Sequence, residues 1–150
     1  MYENNPIRVF VTHTFAEDED YLRFFEFLEG QDRFFYINCS KPENMPGSGG
    51  MEAIKDELRT QIKTAEVVIV LAGMYADNRE WITYQMDVAQ AFELPLVAIK
   101  GFGVVEELPP DIAKRADDTV DWTERGIIDA VRRQARHEDT TRWEVIEFDM

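Results

Sequence analysis

An α/β architecture, with a five-stranded, mostly parallel sheet covered by helices on both faces, is what the order of apolar runs along this chain predicts. Three observations carry that expectation. Short runs rich in β-branched and aromatic residues alternate with longer segments of helical periodicity. The most apolar run, EVVIVLAG (Glu66 to Gly73), shows no alternation, as a strand covered on both faces requires. Strand and helix alternating five times imply right-handed crossovers, which lay the strands side by side in one parallel sheet. The result is a flavodoxin-like three-layer sandwich.

Each element follows in chain order. IRVFVTH (Ile7 to His13) reads as a buried strand, and DEDYLRFFEFLEG (Asp18 to Gly30) as a helix with Tyr21, Leu22, Phe25 and Leu28 at helical spacing, ended by Gly30. RFFYINC (Arg33 to Cys39) is the second strand, followed by SKPENMPGSGG, a Pro/Gly-rich connector expected to be flexible. MEAIKDELRTQIKTA places Ile54, Leu58 and Ile62 on one helical face. The central strand, Glu66 to Gly73, leads to a helix over NREWITYQMDVAQAFE (Asn78 to Glu93), with Asp77 or Asn78 suited to cap it. PLVAIKG (Pro95 to Gly101) and DTVDW (Asp118 to Trp122) supply the last two strands, and TERGIIDAVRRQARH closes as a helix capped by Thr123.

A chain of 150 residues is long enough to bury one core without disulfides or metal. One domain over 1–150 is expected, with its core at about 7–138 and a C-terminal extension, 139–150, that reads as an edge strand or an arm for a partner. No apolar run approaches the ~18 residues that span a bilayer, and MYENNPIR does not resemble a signal peptide. A lone Cys39 excludes an internal disulfide framework and a multi-cysteine zinc site, and it fits a reducing compartment. The expected location is the cytoplasm. Thirty acidic residues against 16 basic ones give a net charge of −14, which repels nucleic acid and anionic membranes. The run RRQAR (Arg132 to Arg136) reads as a solvated face near a helix C-terminus, where cations are favoured.

In parallel sheets of this kind ligands bind beyond the carboxyl ends of the strands, where strand order reverses. That rule selects the loops THTFAED, NCSKPENMPGSGG, AGMYADNRE and GFGVVEE. Neither a GxGxxG nor a GxxxxGK[ST] pattern is present, so the dinucleotide fingerprint and the phosphate-cradling loop are both missing. EDED (Glu17 to Asp20) has the look of a receiver-domain acidic pocket. The third and fifth strands, however, lack the phosphoacceptor Asp and the Lys that such a domain needs, which leaves helix N-terminal acidity as the reading. His13 and His137 are too far apart to read as a metal pair, and no metal site is expected.

RVFVTHTFAEDEDY, AEVVIVLAGMYADNREWITYQMDVAQAFELPLVAIK and DTVDWTERGIIDAV together resemble the TIR-like family, small flavodoxin-fold relatives of TIR domains. The closest resemblance is to the signal-producing protein of bacterial Thoeris antiphage defence, and it extends over roughly Ile7 to Val131. It implies an NAD-binding protein that cleaves or cyclises NAD, as substrate rather than cofactor, to an ADP-ribose-type messenger acting on an effector. The family presents a catalytic Glu four residues after a Trp. Here that Trp is Trp81, and the position falls on Gln85.

The departure has chemical weight, because breaking the bond between ribose and nicotinamide develops oxocarbenium character that a nearby negative charge stabilises. Gln keeps the shape of Glu without its charge. Asp87 lies two residues on, toward the opposite side of the helix, and Glu80 belongs to another face. Gln85 therefore reads as a natural divergence in a non-catalytic relative, as a deliberate isosteric replacement that traps ligand, or as an ordinary exposed helical Gln. The resemblance puts Thr12, His13 and Phe15 on a polar and aromatic rim, with Asn38, Ser40, Gly73, Met74 and Tyr75 on neighbouring rim loops, and Trp81 beside position 85 as a ligand-stacking ring or a core anchor. Two functions follow: a weak or inactive member of an NAD-cleaving lineage, or a non-catalytic module that self-assembles through its rim loops.

Overall fold

The structure is a computed structural model that describes residues 5–16, 18–31, 34–100 and 108–136. The loop from Gly101, Glu17, His137 and the 139–150 extension lie outside the described residues. Strands β1 (Ile7–Val11), β2 (Tyr36–Asn38), β3 (Val67–Leu71), β4 (Leu96–Ile99) and β5 (Asp118–Val120) form one sheet in the order β2-β1-β3-β4-β5. All four pairings are parallel, so the expectation of a mostly parallel sheet tightens to a fully parallel one. Helices α1 (Glu19–Glu29), α2 (Gly50–Ile62), α3 (Arg79–Ala91), α4 (Pro110–Arg115) and α5 (Glu124–Arg136) complete it.

The flavodoxin-like order reverses at β1 and β3. The chain runs outward from β1 to β2 through α1 and back across to β3 through α2, so right-handed crossovers put those two helices on opposite faces. Accordingly α1 packs with α5, and α2 with α3. All five residues of β3 are buried, as its unbroken apolar run requires. Val9 and Val11 of β1 stand opposite Val67 and Ile69 on one side, and Val68 and Leu71 of β3 stand opposite Leu96 and Ile99 on the other.

Several expectations shift on inspection. The strands are shorter than their apolar runs, and β2, an edge strand bonded only to β1, keeps three residues. The buried stripe of α1 is Tyr21, Phe24 and Leu28, whereas Leu22, about 100° away around the helix, is 45% exposed. α4 was not foreseen, because six residues opened by Pro110 are too few to show a period. Trp122 leaves the fifth strand to donate its indole N–H to the Lys100 carbonyl and to pack edge-on against Phe27.

Capping is also divided. Asp18 accepts from the Asp20 N–H at the start of α1, consistent with helix-start acidity, and Thr123 accepts from the Gly126 N–H at 3.1 Å. Asn78 occupies the cap position of α3 without capping it, since its amide donates backward to the Met74 carbonyl at 3.0 Å. The GSGG run is a defined turn rather than a loose connector. Gly49 has φ of 94°, and a Cβ there would lie 2.7 Å from the Ala53 Cβ.

Two arginines of RRQAR are not merely solvated. Arg133 bonds Asp118 at 2.6 Å and Arg136 pairs with Glu66, fastening α5 to the lower edge of the sheet. Cys39 is buried and free. Among the described residues no helix is long and apolar enough to cross a membrane.

α3 ends in a Schellman motif without glycine. The Leu94 N–H bonds the Ala89 carbonyl and the Glu93 N–H bonds the Gln90 carbonyl, which leaves Glu93 at φ of 60°. Glu93→Gly should therefore raise unfolding free energy by about 0.5–1 kcal/mol in urea denaturation, the relief of left-handed strain exceeding the added chain entropy. A loss of stability would show that the Glu93 side chain matters more than its backbone.

Candidate functional site

At the carboxyl end of β1 the chain leaves the sheet beside β3. Thr12 prolongs the ladder, its N–H donating to the Ile69 carbonyl at 3.0 Å and its hydroxyl accepting from the Leu71 N–H at 3.2 Å. His13 then lies beyond the last paired residue, fully buried. A buried peptide must be satisfied somewhere. Gln85 does this from the inner stripe of α3, which it shares with Ile82, Met86 and Ala89. Its Oε1 accepts the His13 N–H at 3.0 Å, and its Nε2 donates to the His13 carbonyl at 2.8 Å and to the Trp81 carbonyl at 3.0 Å. One side-chain amide thus substitutes for a neighbouring strand.

The His13 ring is equally committed. Its Nδ1 accepts the Phe15 N–H at 3.0 Å, so the proton of the neutral imidazole sits on Nε2 and is donated to Gln61 Oε1 at 2.9 Å. Gln61, buried on α2, forms a second amide bracket. It accepts the Lys41 N–H at 2.9 Å and donates to the Lys41 carbonyl at 3.2 Å and to Glu57 at 2.8 Å. Burial away from water lowers the pKa of His13 below its ordinary 6.5, opposed by the Gln61 bond and by the charges of Glu43 and Glu57. Phe15 is left-handed, with φ of 61°, a conformation costing a non-glycine residue about 1–2 kcal/mol.

A hollow of about 120 Å³ opens on this framework, walled by His13 and Phe15 from the loop after β1, Met45 after β2, Ile54 and Leu58 of α2, and Trp81 of α3. It is apolar and of the order of one six-membered ring. Among the described residues no carboxylate lines it. A larger depression, about 600 Å³, lies at the opposite end of the strands and is open and acidic, with Glu66, Glu93 and Asp117 in its wall. It lies away from the carboxyl ends of the strands, where sheets of this kind bind ligands, so the smaller hollow is the better candidate. Among the described residues no cluster of three His, Cys, Asp or Glu side chains could hold a metal ion.

Of the residues singled out by sequence, His13, Phe15 and Trp81 meet at the hollow. Gln85 stands behind His13 and is fully buried, which overturns its reading as an exposed helical residue. Thr12 serves the sheet ladder. Asn38 and Ser40 form a hydrogen-bonded ring with Tyr21, in which the Tyr21 hydroxyl lies 3.0 Å from Ser40 Oγ and 3.1 Å from Asn38 Nδ2. Gly73 and Met74 lie in a 3₁₀ turn after β3 that Tyr75 ends, with Met74 and Tyr75 buried and Gly73 exposed. Sequence reasoning missed Gln61. The available signal was a polar residue three positions after Leu58, on the apolar stripe of its helix.

A family model described as "Thoeris protein ThsB, TIR-like domain" matches residues 10–103, more than half of the chain and the whole of this site. A search of curated proteins finds no match.

Gln85→Leu, which keeps the volume but strands both polar groups of the His13 peptide, should lower unfolding free energy by about 2–4 kcal/mol. A change below 0.5 kcal/mol, about the scatter of surface substitutions, would mean that the bracket contributes nothing. The depressed His13 pKa has its own signature. Its stability contribution is complete above the unfolded value of 6.5 and is lost as pH falls from there toward the folded value. Denaturation curves of the wild type should therefore weaken more steeply through this acidic window than those of His13→Phe. Parallel pH profiles would contradict the buried neutral imidazole.

Proposed function

The chain belongs to the TIR-like domain family of the Thoeris protein ThsB, a family of antiphage-defence proteins, and we propose that it binds NAD or a related nucleotide while turning it over weakly or not at all. In this reading the nicotinamide ring enters the apolar hollow beside Phe15 and Trp81, and the rest of the nucleotide extends over the carboxyl ends of β1 and β3. The observation that carries it is the Gln85 amide, uncharged and spent on the His13 and Trp81 backbone. Cleaving the nicotinamide–ribose bond calls for negative charge near the developing oxocarbenium. A carboxylate at position 85, set behind His13, would supply it once ionised; the amide carries no charge and holds the loop instead. The lineage is one that converts NAD to an ADP-ribose-type messenger for an effector, with this chain as a ligand-holding member.

A second reading, a module that self-associates through its rim loops, draws support from two exposed methionines, Met45 in the wall of the hollow and Met51 in the first turn of α2, 53% and 57% exposed. Sedimentation of the free chain tests it: concentration-dependent dimers or larger species without NAD affinity would favour assembly over ligand holding.

The functional test pairs NAD calorimetry with nicotinamide release, for the wild type and for Gln85→Glu. The wild type should bind NAD with release at background, and Gln85→Glu should raise release at least about tenfold, or 1.4 kcal/mol of barrier. Both are to be compared at a temperature where each is folded, because a carboxylate set against the His13 and Trp81 carbonyls destabilises the native state. Rapid release by the wild type, or absence of NAD binding, would overturn the proposal.

A further inference from the structure

Phe15 is the residue of the hollow whose backbone is least expected. Its left-handed φ of 61° lies where side-chain-bearing residues seldom sit. One imidazole holds it there. The Phe15 N–H donates to His13 Nδ1 at 3.0 Å, and the two rings meet edge to face with centroids 4.9 Å apart. That donation requires a bare Nδ1. Which nitrogen is bare is decided on the far side of the ring, where Nε2 lies 2.9 Å from Gln61 Oε1. Gln61 cannot turn its amide over without cost. Its Nε2 faces two acceptors, the Lys41 carbonyl and Glu57, and its Oε1 faces the Lys41 N–H.

The sequence of constraints runs from α2 to the hollow. Gln61 orients toward Lys41, its oxygen takes the proton-bearing nitrogen of His13, the other nitrogen takes the Phe15 N–H, and the Phe15 ring is set in the wall. We propose that Gln61 and His13 are positioning residues that select the imidazole tautomer holding Phe15 left-handed, and that Phe15 so held determines whether a flat ring is admitted to the hollow. The role in ligand admission rests on the reading of the hollow as a nucleotide site. The tautomer relay stands apart from it.

The test uses the full chain with ¹⁵N-labelled histidine at about pH 8.5, above the imidazole range. The wild type should show His13 protonated at Nε2 and bare at Nδ1, with the Phe15 amide slow to exchange. A proton on Nδ1 overturns the relay whatever the ligand. Two substitutions then separate the relay from simple loop clamping, because Gln61→Met and Gln61→Glu both remove the donor to the Lys41 carbonyl, whereas only Gln61→Met removes the acceptor for His13. Gln61→Glu should keep the tautomer, the protected Phe15 amide and NAD affinity within about twofold, while Gln61→Met should mix the tautomers, expose that amide and weaken NAD by about tenfold or more. Equal behaviour of the two would assign Gln61 to the loop alone and overturn the proposal. Should Gln61→Met fail to fold, Phe15→Gly replaces it, since glycine suits the left-handed backbone. It should fold, keep the His13 tautomer and lose comparable NAD affinity, and unchanged NAD affinity would overturn the wall role. If the wild type binds no NAD, the nucleotide reading falls, while the tautomer and the exchange of the Phe15 amide still decide the relay.

Discussion

The peptide of His13 has to be satisfied in a place that water does not reach, and the Gln85 amide satisfies it. Parallel strands end with backbone groups that the ladder no longer pairs, and in most sheets of this topology those groups face solvent or a ligand. Here Thr12 carries the ladder one residue further, and the next residue is bracketed by a side chain from α3. The loop after β1 is thereby tied to the helix after β3 across the point where strand order reverses. Gln61 repeats the device from α2, binding Lys41 after β2 and the His13 ring together. Two amides therefore join two loops and two helices.

This arrangement explains why the hollow is apolar although polar residues surround it. Every polar atom of His13 is turned toward a protein partner, which leaves aliphatic and aromatic surface to form the walls. It also explains why amide and carboxylate are not interchangeable at position 85. An amide presents an acceptor to the His13 N–H and donors to two carbonyls at once, whereas a carboxylate has acceptors only and, so buried, would be driven toward its neutral form. The feature that removes charge from the site is the one that fastens its backbone.

The fold was largely legible. Uninterrupted apolar character placed the run Val67–Leu71 at the centre of the sheet because burial on both faces leaves no room for alternation. The alternation of elements yielded the parallel topology. What sequence reading blurred were the ends: Trp122 continues an apolar pattern yet leaves the strand because its indole N–H has a carbonyl to reach, and Asn78 has the chemistry of a cap yet turns the other way. In the site, family likeness directed attention to position 85 and to the loops after β1 and β3, while the partners of the Gln85 amide, the His13 and Trp81 backbone, came only from the packing. Gln61 stayed hidden, since a polar residue on an apolar helical stripe signals only that it must find a partner, not which one.

Local chemistry and periodicity, which act over a few residues, were enough to determine from sequence alone the α/β class, the order of the strands and their longer helices, the single cysteine and the absence of a carboxylate four residues after Trp81. The tertiary structure alone decided that residues 13, 41, 61 and 85, as many as 72 positions apart, share one hydrogen-bonded network. It also decided that His13 carries its proton on Nε2, that Phe15 is left-handed, and that Gln85 faces inward. Those outcomes depend on which donors and acceptors the packed helices bring within about 3 Å of one another, a matter of geometry that no local pattern encodes.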